Sequence, residues 1–298
     1  MAVDLRRHPV FPPSVPERAA SYGQSILWGV MPDESELTAG VRIEPGQSYG
    51  FFTDTSLCIG CKACEVACKE WNNLPADEIG LTGQSYDNTG RLSCTTWRHV
   101  AFVEQRDRWL MMSDVCKHCA NAACLEACPT GALFRTEFDT VVVQQDICNG
   151  CGYCIPACPF GVIGVSTLDG KAHKCTLCYD RLKGGLEPAS AKSCPTDSIQ
   201  FGEVPVLVER AERRVAQLHA LGVETAYTYG TPGAPGATGG LGHLNAFFLL
   251  TDRPEAYNLP AAPTRASNRV APSLFTGLAT VAGLALGALA LFARGGRA

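Results

Sequence analysis

The sequence predicts an α+β protein built from small, loop-rich, cysteine-bound units, with one apolar helix near the C-terminus. Three observations carry that reading. Fifteen of the sixteen cysteines fall in four groups, at 58–68, 116–128, 148–158 and 175–194. Short apolar runs broken by turn residues join the second group to the third. From Ser273 to Ala293 no residue is charged. Thirty glycines and nineteen prolines in 298 residues place much of the chain in loops, so staples rather than a large core are expected to hold it. The net charge is −4 and the lysines and arginines are scattered. No basic face recommends nucleic acid as a partner.

The third group is the most regular. Cys148, Cys151, Cys154 and Cys158, followed by Pro159, have the C-x2-C-x2-C-x3-C-P spacing of a bacterial-type 4Fe–4S site. Gly150 and Gly152 allow the tight backbone path that lets three thiolates converge on one cube. The fourth cysteine of such a group ligates the neighbouring cube, so one group implies a second. Cys58, Cys61, Cys64 and Cys68 repeat the spacing without the proline. Cys116, Cys119, Cys124 and Cys128-Pro129 repeat it with a wider central loop. Cys175 and Cys178 are followed by Ser190 and Cys194-Pro195. The stretches after Cys128, Cys158 and Cys194 resemble one another and read as internal repeats.

Zinc also uses C-x2-C pairs, but structural zinc sites have no reason to add a third and fourth cysteine at these spacings in successive groups. Disulfides between cysteines two residues apart would be strained. The spacing therefore predicts four iron–sulfur clusters, at least three of them 4Fe–4S, in two bacterial ferredoxin-like cluster domains with long loops. Gly131 to Gln144 reads as a hairpin leading into Cys148, so groups two and three pair. Cys116, Cys119 and Cys124 then take Cys158, and Cys148, Cys151 and Cys154 take Cys128. The first and last groups pair in turn. Cys58, Cys61 and Cys64 take Cys194, leaving Cys175, Cys178 and position 190 to take Cys68. On this reading the Cys148 copy is one of two inner stations in a conductor of four.

The rest of the sequence divides around these groups. Residues 1–50 are an arm lying on a partner, proline-rich at Pro9, Pro12, Pro13 and Pro16. Arg6 and Arg7 precede His-Pro-Val-Phe-Pro-Pro instead of an apolar run, so no export signal is read there, and export would require a signal-bearing partner. Residues 51–115 hold the first motif and an insertion, with a strand through Trp97, His99, Ala101 and Val103. Residues 116–172 form the central two-cluster domain, and 173–204 hold the fourth motif, pairing with 51–70. Residues 205–269 form a helix and a partner-contact extension. Pro205 to Leu221 is its amphipathic helix, with Leu207, Val208, Ala211, Val215 and Leu218 on one face, and 229–242 is Gly- and Pro-rich. Cys94 stands alone as a buried or spare thiol.

Residues 270–293 read as a transmembrane helix and 294–298 as a tail. About twenty apolar residues suffice to cross the hydrocarbon core. Nine residues of the run are Leu, Val or Phe, each favourable by roughly 0.3–0.6 kcal/mol at the helix centre. Ala279, Gly283 and Gly287 stand four apart and would admit a neighbouring membrane helix. Orientation stays open, because Arg265 and Arg269 before the run balance Arg294 and Arg297 after it.

Lys62, Lys69, Lys117, His118 and Lys174 flank cluster ligands. Positive charge there would favour the reduced cube; a solvated surface role is the competing reading for each. No nucleophile and base arrangement, phosphate loop or nicotinamide fingerprint accompanies the cysteines. Chemistry on an organic substrate is expected in another polypeptide.

Several stretches resemble a known family. Cys58-Ile-Gly-Cys-Lys-Ala-Cys-Glu-Val-Ala-Cys-Lys-Glu-Trp-Asn, Cys148-Asn-Gly-Cys-Gly-Tyr-Cys, Lys174-Cys-Thr-Leu-Cys-Tyr-Asp-Arg and Leu186-Glu-Pro-Ala are similar to the iron–sulfur β subunit of membrane-bound formate dehydrogenases of the N type. The likeness runs from about Thr53 to the C-terminus and includes Gly242-His-Leu through Leu259-Pro260 and the single terminal helix. The cluster motifs alone are shared with dimethyl sulfoxide, nitrate and polysulfide reductase subunits. The resemblance implies a molybdenum or tungsten bis-pterin catalytic subunit on one side and a cytochrome b membrane subunit passing electrons to quinone on the other. It also implies a cluster domain on the extracytoplasmic face of the cell membrane, anchored by a single pass. The family has cysteine where this sequence has Ser190, so that cube is expected to be serine-ligated or reduced to 3Fe–4S. A reading of another class stays open: a membrane-anchored polyferredoxin serving soluble partners.

Overall fold

The computed structural model describes residues 42–76, 80–81, 83, 86–106, 108–237 and 239–295. Most of the expected N-terminal arm and the end of the tail lie outside the described residues. The protein is mixed α and β. Four strands form the largest sheet: β1 (Tyr49–Asp54), β8 (Ile199–Glu203), β9 (Tyr227–Tyr229) and β10 (Ala246–Leu250), in the order β8-β1-β10-β9. β1 runs parallel to β10, with Phe51 opposite Ala246, and antiparallel to β8, with Thr53 opposite Ile199. Every residue of β1 and β10 is buried. At about 1.5–3 kcal/mol for each fully buried Phe or Leu side chain, this sheet is a major source of folding energy.

The sheet departs from the sequence reading in two places. The expected arm ends in structure: Tyr49 and Gly50 lie in β1, and the Gly46 and Tyr49 N–H groups donate to the Glu137 and Phe138 carbonyls. The 205–269 segment, read as a partner-contact extension, supplies β9 and β10 to the core. Gly50 shows how tightly that segment is built in, since a Cβ there would lie 1.7 Å from the Asn245 carbonyl oxygen.

Three hairpins complete the β structure. β2 (Arg98–Glu104) pairs with β3 (Trp109–Val115), β4 (Leu133–Arg135) with β5 (Val141–Val143), and β6 (Gly164–Val165) with β7 (Ala172–His173). The expected strand through Trp97 to Val103 and the expected hairpin before Cys148 are both present. Short helices lie among the cysteine groups: α1 (Ala63–Trp71), α2 (Ala123–Glu126), α3 (Cys154–Ala157), α4 (Tyr179–Lys183) and α5 (Ala189–Lys192).

The longer α6 (Val204–Ala220) has Pro205 in its first turn, where a missing N–H costs nothing. It packs Val204, Leu207, Ala211 and Leu218 under the sheet, as the periodicity indicates, but Arg214 shares that buried face. Its Nε donates to Asp54 Oδ2 at 2.8 Å, and Asp54 is fully buried at the end of β1. Last comes α7 (Val270–Gly295). The 27-residue run Ala266–Phe292 is long and apolar enough to cross a membrane, and its most apolar stretch, with a mean hydropathy of 2.0, is not buried against the protein.

Candidate metal centres

Each cysteine group follows a strand or short helix, and the ladders decide which groups meet. β1 ends four positions before Cys58 and β8 begins five positions after Cys194. Their antiparallel pairing brings Cys194 to a small cavity that Cys58, Cys61 and Cys64 also line. The β4–β5 hairpin does the same within the central domain. Cys128 precedes it and Cys148 follows it, and Cys128, Cys148, Cys151 and Cys154 line one small cavity. The backbone turns left-handed at Gly150 and Gly152, with φ of 73° and 75°.

The other two sets lie between these. Cys119 has Cys116, Cys124 and Cys158 as its charged sulfur neighbours. Cys175 is surrounded by Cys68, Cys116 and Cys178. Ser190, on α5, is buried at 4% exposure, and the adjacent Ala189 N–H donates to Cys178. Cys64 and Cys68 are both buried and one helical turn apart on α1, so one turn links the first set to the fourth.

Proximity gives an order. The Cys58 set neighbours the Cys68–Cys175 set through α1, Cys175 neighbours Cys116, and Cys124 neighbours Cys154. Cys61 and Cys151 are exposed, one in each outermost set. The Cys148 copy, expected as an inner station, therefore sits at an end. Spacing identifies sulfurs that share a site but is silent on which sites touch.

Electrostatics tests whether these sets suit iron–sulfur groups. Burial pushes Cys58 up to about 11 and Cys68 to about 12, and neighbouring sulfurs push each further. Burial likewise takes Cys124 to about 12 and drives Cys175 up strongly. Convergent buried thiolates are this unfavourable unless a cation neutralises them, and iron is such a cation with a strong preference for thiolate. Cys128 is the exception. Its slight burial raises it, but donors from Leu133, Thr130 and Ala132 outweigh that and hold it below the usual thiol value. Four sulfurs line each of the two outer cavities. The arrangement fits cubes.

The flanking residues are not solvated as a group, and His118 does not supply the positive charge expected of it, since burial and then the charges of Lys174, Arg135 and Arg98 hold its imidazole well below the usual value. Lys117, His118 and Lys174 are each 1% exposed. Lys117 pairs with Asp114 and lies 5.1 Å from the Phe160 ring centre. Lys174 donates to the carbonyls of Val141 and Cys175. His118 Nδ1 accepts the Val141 N–H at 3.0 Å. Lys62 and Lys69 sit at the surface edge, with Lys62 against Glu65 and Lys69 bonded to the Thr95 carbonyl. The 241–246 stretch braces the third set in the order: Cys119 bridges to Leu244, and the Ala120 and Ala246 N–H groups donate to the carbonyls of His243 and Lys117. Cys94 is half-buried, its backbone packed on Gly164.

Sequence reasoning missed Arg98 and Ser113. Ser113 Oγ lies 3.2 Å from Cys64 Sγ and accepts from Arg98 Nη1 at 3.0 Å. Neither residue carries a spacing signal, and alternation along β2 assigned Arg98 to the face opposite Trp97 and His99.

The fold and its sulfur sets define a protein of the dicluster iron–sulfur class. Family models described as a 4Fe–4S dicluster domain match residues 57–132 and 107–204. The nitrate-inducible formate dehydrogenase iron–sulfur subunit of Escherichia coli is 43% identical over 70% of this chain and 71% of its own length. The formate dehydrogenase iron–sulfur subunit of Haemophilus influenzae is 42% identical over 70% and 68%. The B subunit of the anaerobic dimethyl sulfoxide reductase of Escherichia coli is 37% identical over 53% and 75%. The protein belongs to the family of formate dehydrogenase iron–sulfur subunits. It is an electron-transfer subunit and not a catalytic one.

Proposed function

We propose that the protein holds four iron–sulfur cubes in a row and conducts electrons from a molybdenum or tungsten bis-pterin formate dehydrogenase subunit to a membrane cytochrome b subunit that reduces quinone. The observation that carries this reading is the order of the four sets, with an exposed sulfur in the set at either end. A bound cube supplies a reversible one-electron store, which no side chain here offers. The protein's own residues hold the sulfurs and leave one of them exposed in each outermost set, Cys61 and Cys151. Apolar side chains surround both ends: Ile59 and Val66 near Cys61, and Ile147, Tyr153 and Ile155 near Cys151.

The membrane helix supports the direction. Arg265 and Ser267, just before α7, bond to Glu126. Glu126 lies between Cys124 and Cys128, so α7 leaves the protein on the side of the Cys148 set. That end is assigned to the membrane partner and the Cys58 end to the catalytic subunit. We place the cluster domain on the extracytoplasmic face, anchored by one pass of α7.

Ser190 is proposed to complete the Cys68, Cys175 and Cys178 set, through its hydroxyl or by leaving a 3Fe–4S group. Iron analysis with EPR tests it, since a count of about fifteen or sixteen irons keeps the site and about twelve removes it. Ser190→Cys should change the signal of one cube alone. Purification from the native membrane should recover a pterin-containing subunit and a haem-containing subunit that together reduce quinone with formate. Recovery of the iron–sulfur subunit alone would overturn the proposal. The likeness to the dimethyl sulfoxide reductase subunit favours one second reading, the same conductor feeding a reductase, for which sulfoxide and not formate would support turnover.

A further inference from the structure

One charge in the core is not explained by ligand spacing. Arg98 opens β2 and is 2% exposed. Its guanidinium lies 4.6 Å from the centre of the Phe51 ring. Nη1 donates to Ser113, while Nη2 is buried without a hydrogen-bond partner. No described carboxylate forms an ion pair with it. A buried, uncompensated cation is among the costliest groups a core can contain, and it persists where a counter-charge is provided.

The surroundings identify that counter-charge. Cys64 and Arg98 meet on the Ser113 hydroxyl, and Cys68, buried one turn further along α1, which packs on β2, is grouped with Cys175 and Cys178. Cys64 and Cys68 belong to two different sets. A guanidinium has donors only, so the Ser113 oxygen must accept from Nη1. Its hydroxyl hydrogen is then free for the Cys64 sulfur, 3.2 Å away. Arg98 thus reaches one set through a relay, and the other begins one turn further along α1.

We propose that Arg98 is a positioning and tuning residue shared by the Cys58 set and the Cys68–Cys175 set, taking the negative charge of their cubes as its counter-ion and favouring the reduced form of both. Reduction adds negative charge to each site, so a fixed cation between them draws the two potentials upward together. At an effective dielectric near 20, a unit charge acting over roughly ten ångströms is worth on the order of tenfold in a reduction equilibrium. A role confined to packing would move neither potential.

The test is a potentiometric titration followed by EPR on the purified complex, alongside iron analysis. Arg98→Met should lower the midpoints of two cubes by about tenfold in the reduction equilibrium, about 59 mV for a one-electron couple. The two other cubes should hold their values, and Arg98→Lys should retain most of the wild-type potential. Ser113→Ala should lower the Cys58 cube alone, by less. Unchanged midpoints in Arg98→Met with full iron, or an equal shift in Arg98→Lys, overturn the proposal. If Arg98→Met fails to assemble, Ser113→Ala decides, because an unmoved Cys58 cube removes the relay. The inference rests on the four-cube reading, which the wild-type iron content tests separately.

Discussion

Arg214→Ala is the most informative perturbation of the scaffold. Arg214 and Asp54 form an ion pair with side chains 6% and 1% exposed. Asp54 Oδ1 accepts both the N–H and the hydroxyl of Ser56, at 2.9 and 2.6 Å, and Arg214 Nη2 donates to Ser56 Oγ at 3.2 Å. The pair ties α6 to the end of β1 and shapes the turn that delivers Cys58. Removing Arg214 leaves a carboxylate inside the core, a loss of about 3–5 kcal/mol. At about 2–4 °C per kcal/mol for a domain of this size, the melting temperature should fall by about 10 °C. Heating the purified protein while following the visible iron–sulfur absorbance measures it, at one fixed scan rate because cluster loss is irreversible. The Cys58 cube should be the first EPR signal lost. Replacing both partners, as Asp54→Leu with Arg214→Met, should cost less than Arg214→Ala, since no charge is stranded. A single-variant loss below about 1 kcal/mol, or a double variant as unstable as the single one, would refute the account.

Gly150→Ala should abolish the Cys148 cube, because a Cβ there would lie 2.0 Å from the Gly170 carbonyl oxygen and φ is 73°; iron content should fall by about a quarter. Deleting the residues from Val270 onward should release the protein from the membrane with its clusters intact, since α7 buries nothing against the rest; fractionation with iron analysis checks it. Asp139→Asn should destabilise at neutral pH. Burial raises the Asp139 carboxyl, but bonds from Ser48 and Asn245 and the charge of Arg135 outweigh that and hold it below the usual carboxylate value. A depressed folded value means stability present above the unfolded value and lost as pH falls through the folded one. The gap between wild type and variant in thermal scans should therefore stay constant from neutral pH down to about 4 and narrow below it.

What could be read from residues alone was what coordination and local periodicity impose. A cube constrains its ligands to short spacings, so the members of each set stood out, as did the hairpin before Cys148 and the apolar face of α6. The largest sheet was not legible. Its central pair joins Phe51 to Ala246, and pairing across such a separation leaves no trace in a local window. β10 is buried on both faces, so it shows no alternation, and the Gly- and Pro-rich stretch before it suggested a loop. Arg214 was hidden on the apolar face of α6, where composition alone would place a hydrocarbon. Arg98 was hidden in a strand whose first four residues are all buried, where alternation would have sent it outward.

These hidden residues bear on what differentiates four nearly identical sites. The sulfur spacing is almost the same in every group, so it cannot by itself make one site unlike the next. The surroundings differ. Arg98 stands unpaired beside the two sets nearest the Cys58 end, whereas Lys117 next to Cys116 is already neutralised by Asp114 and Lys174 is spent on two carbonyls. Cys128, at the other end, is stabilised as thiolate by backbone donors and not by a cation. The buried cations therefore differ from site to site: Arg98 stands by the sets nearest the Cys58 end, Lys174 by Cys175 and Cys124, and Cys128 is held by hydrogen-bond donors. A serine at position 190 adds a harder, less easily deprotonated ligand to the Cys68–Cys175 set, and a cation nearby favours the oxygen's anionic form. The departure from cysteine thus falls at a site with an uncompensated positive charge close by.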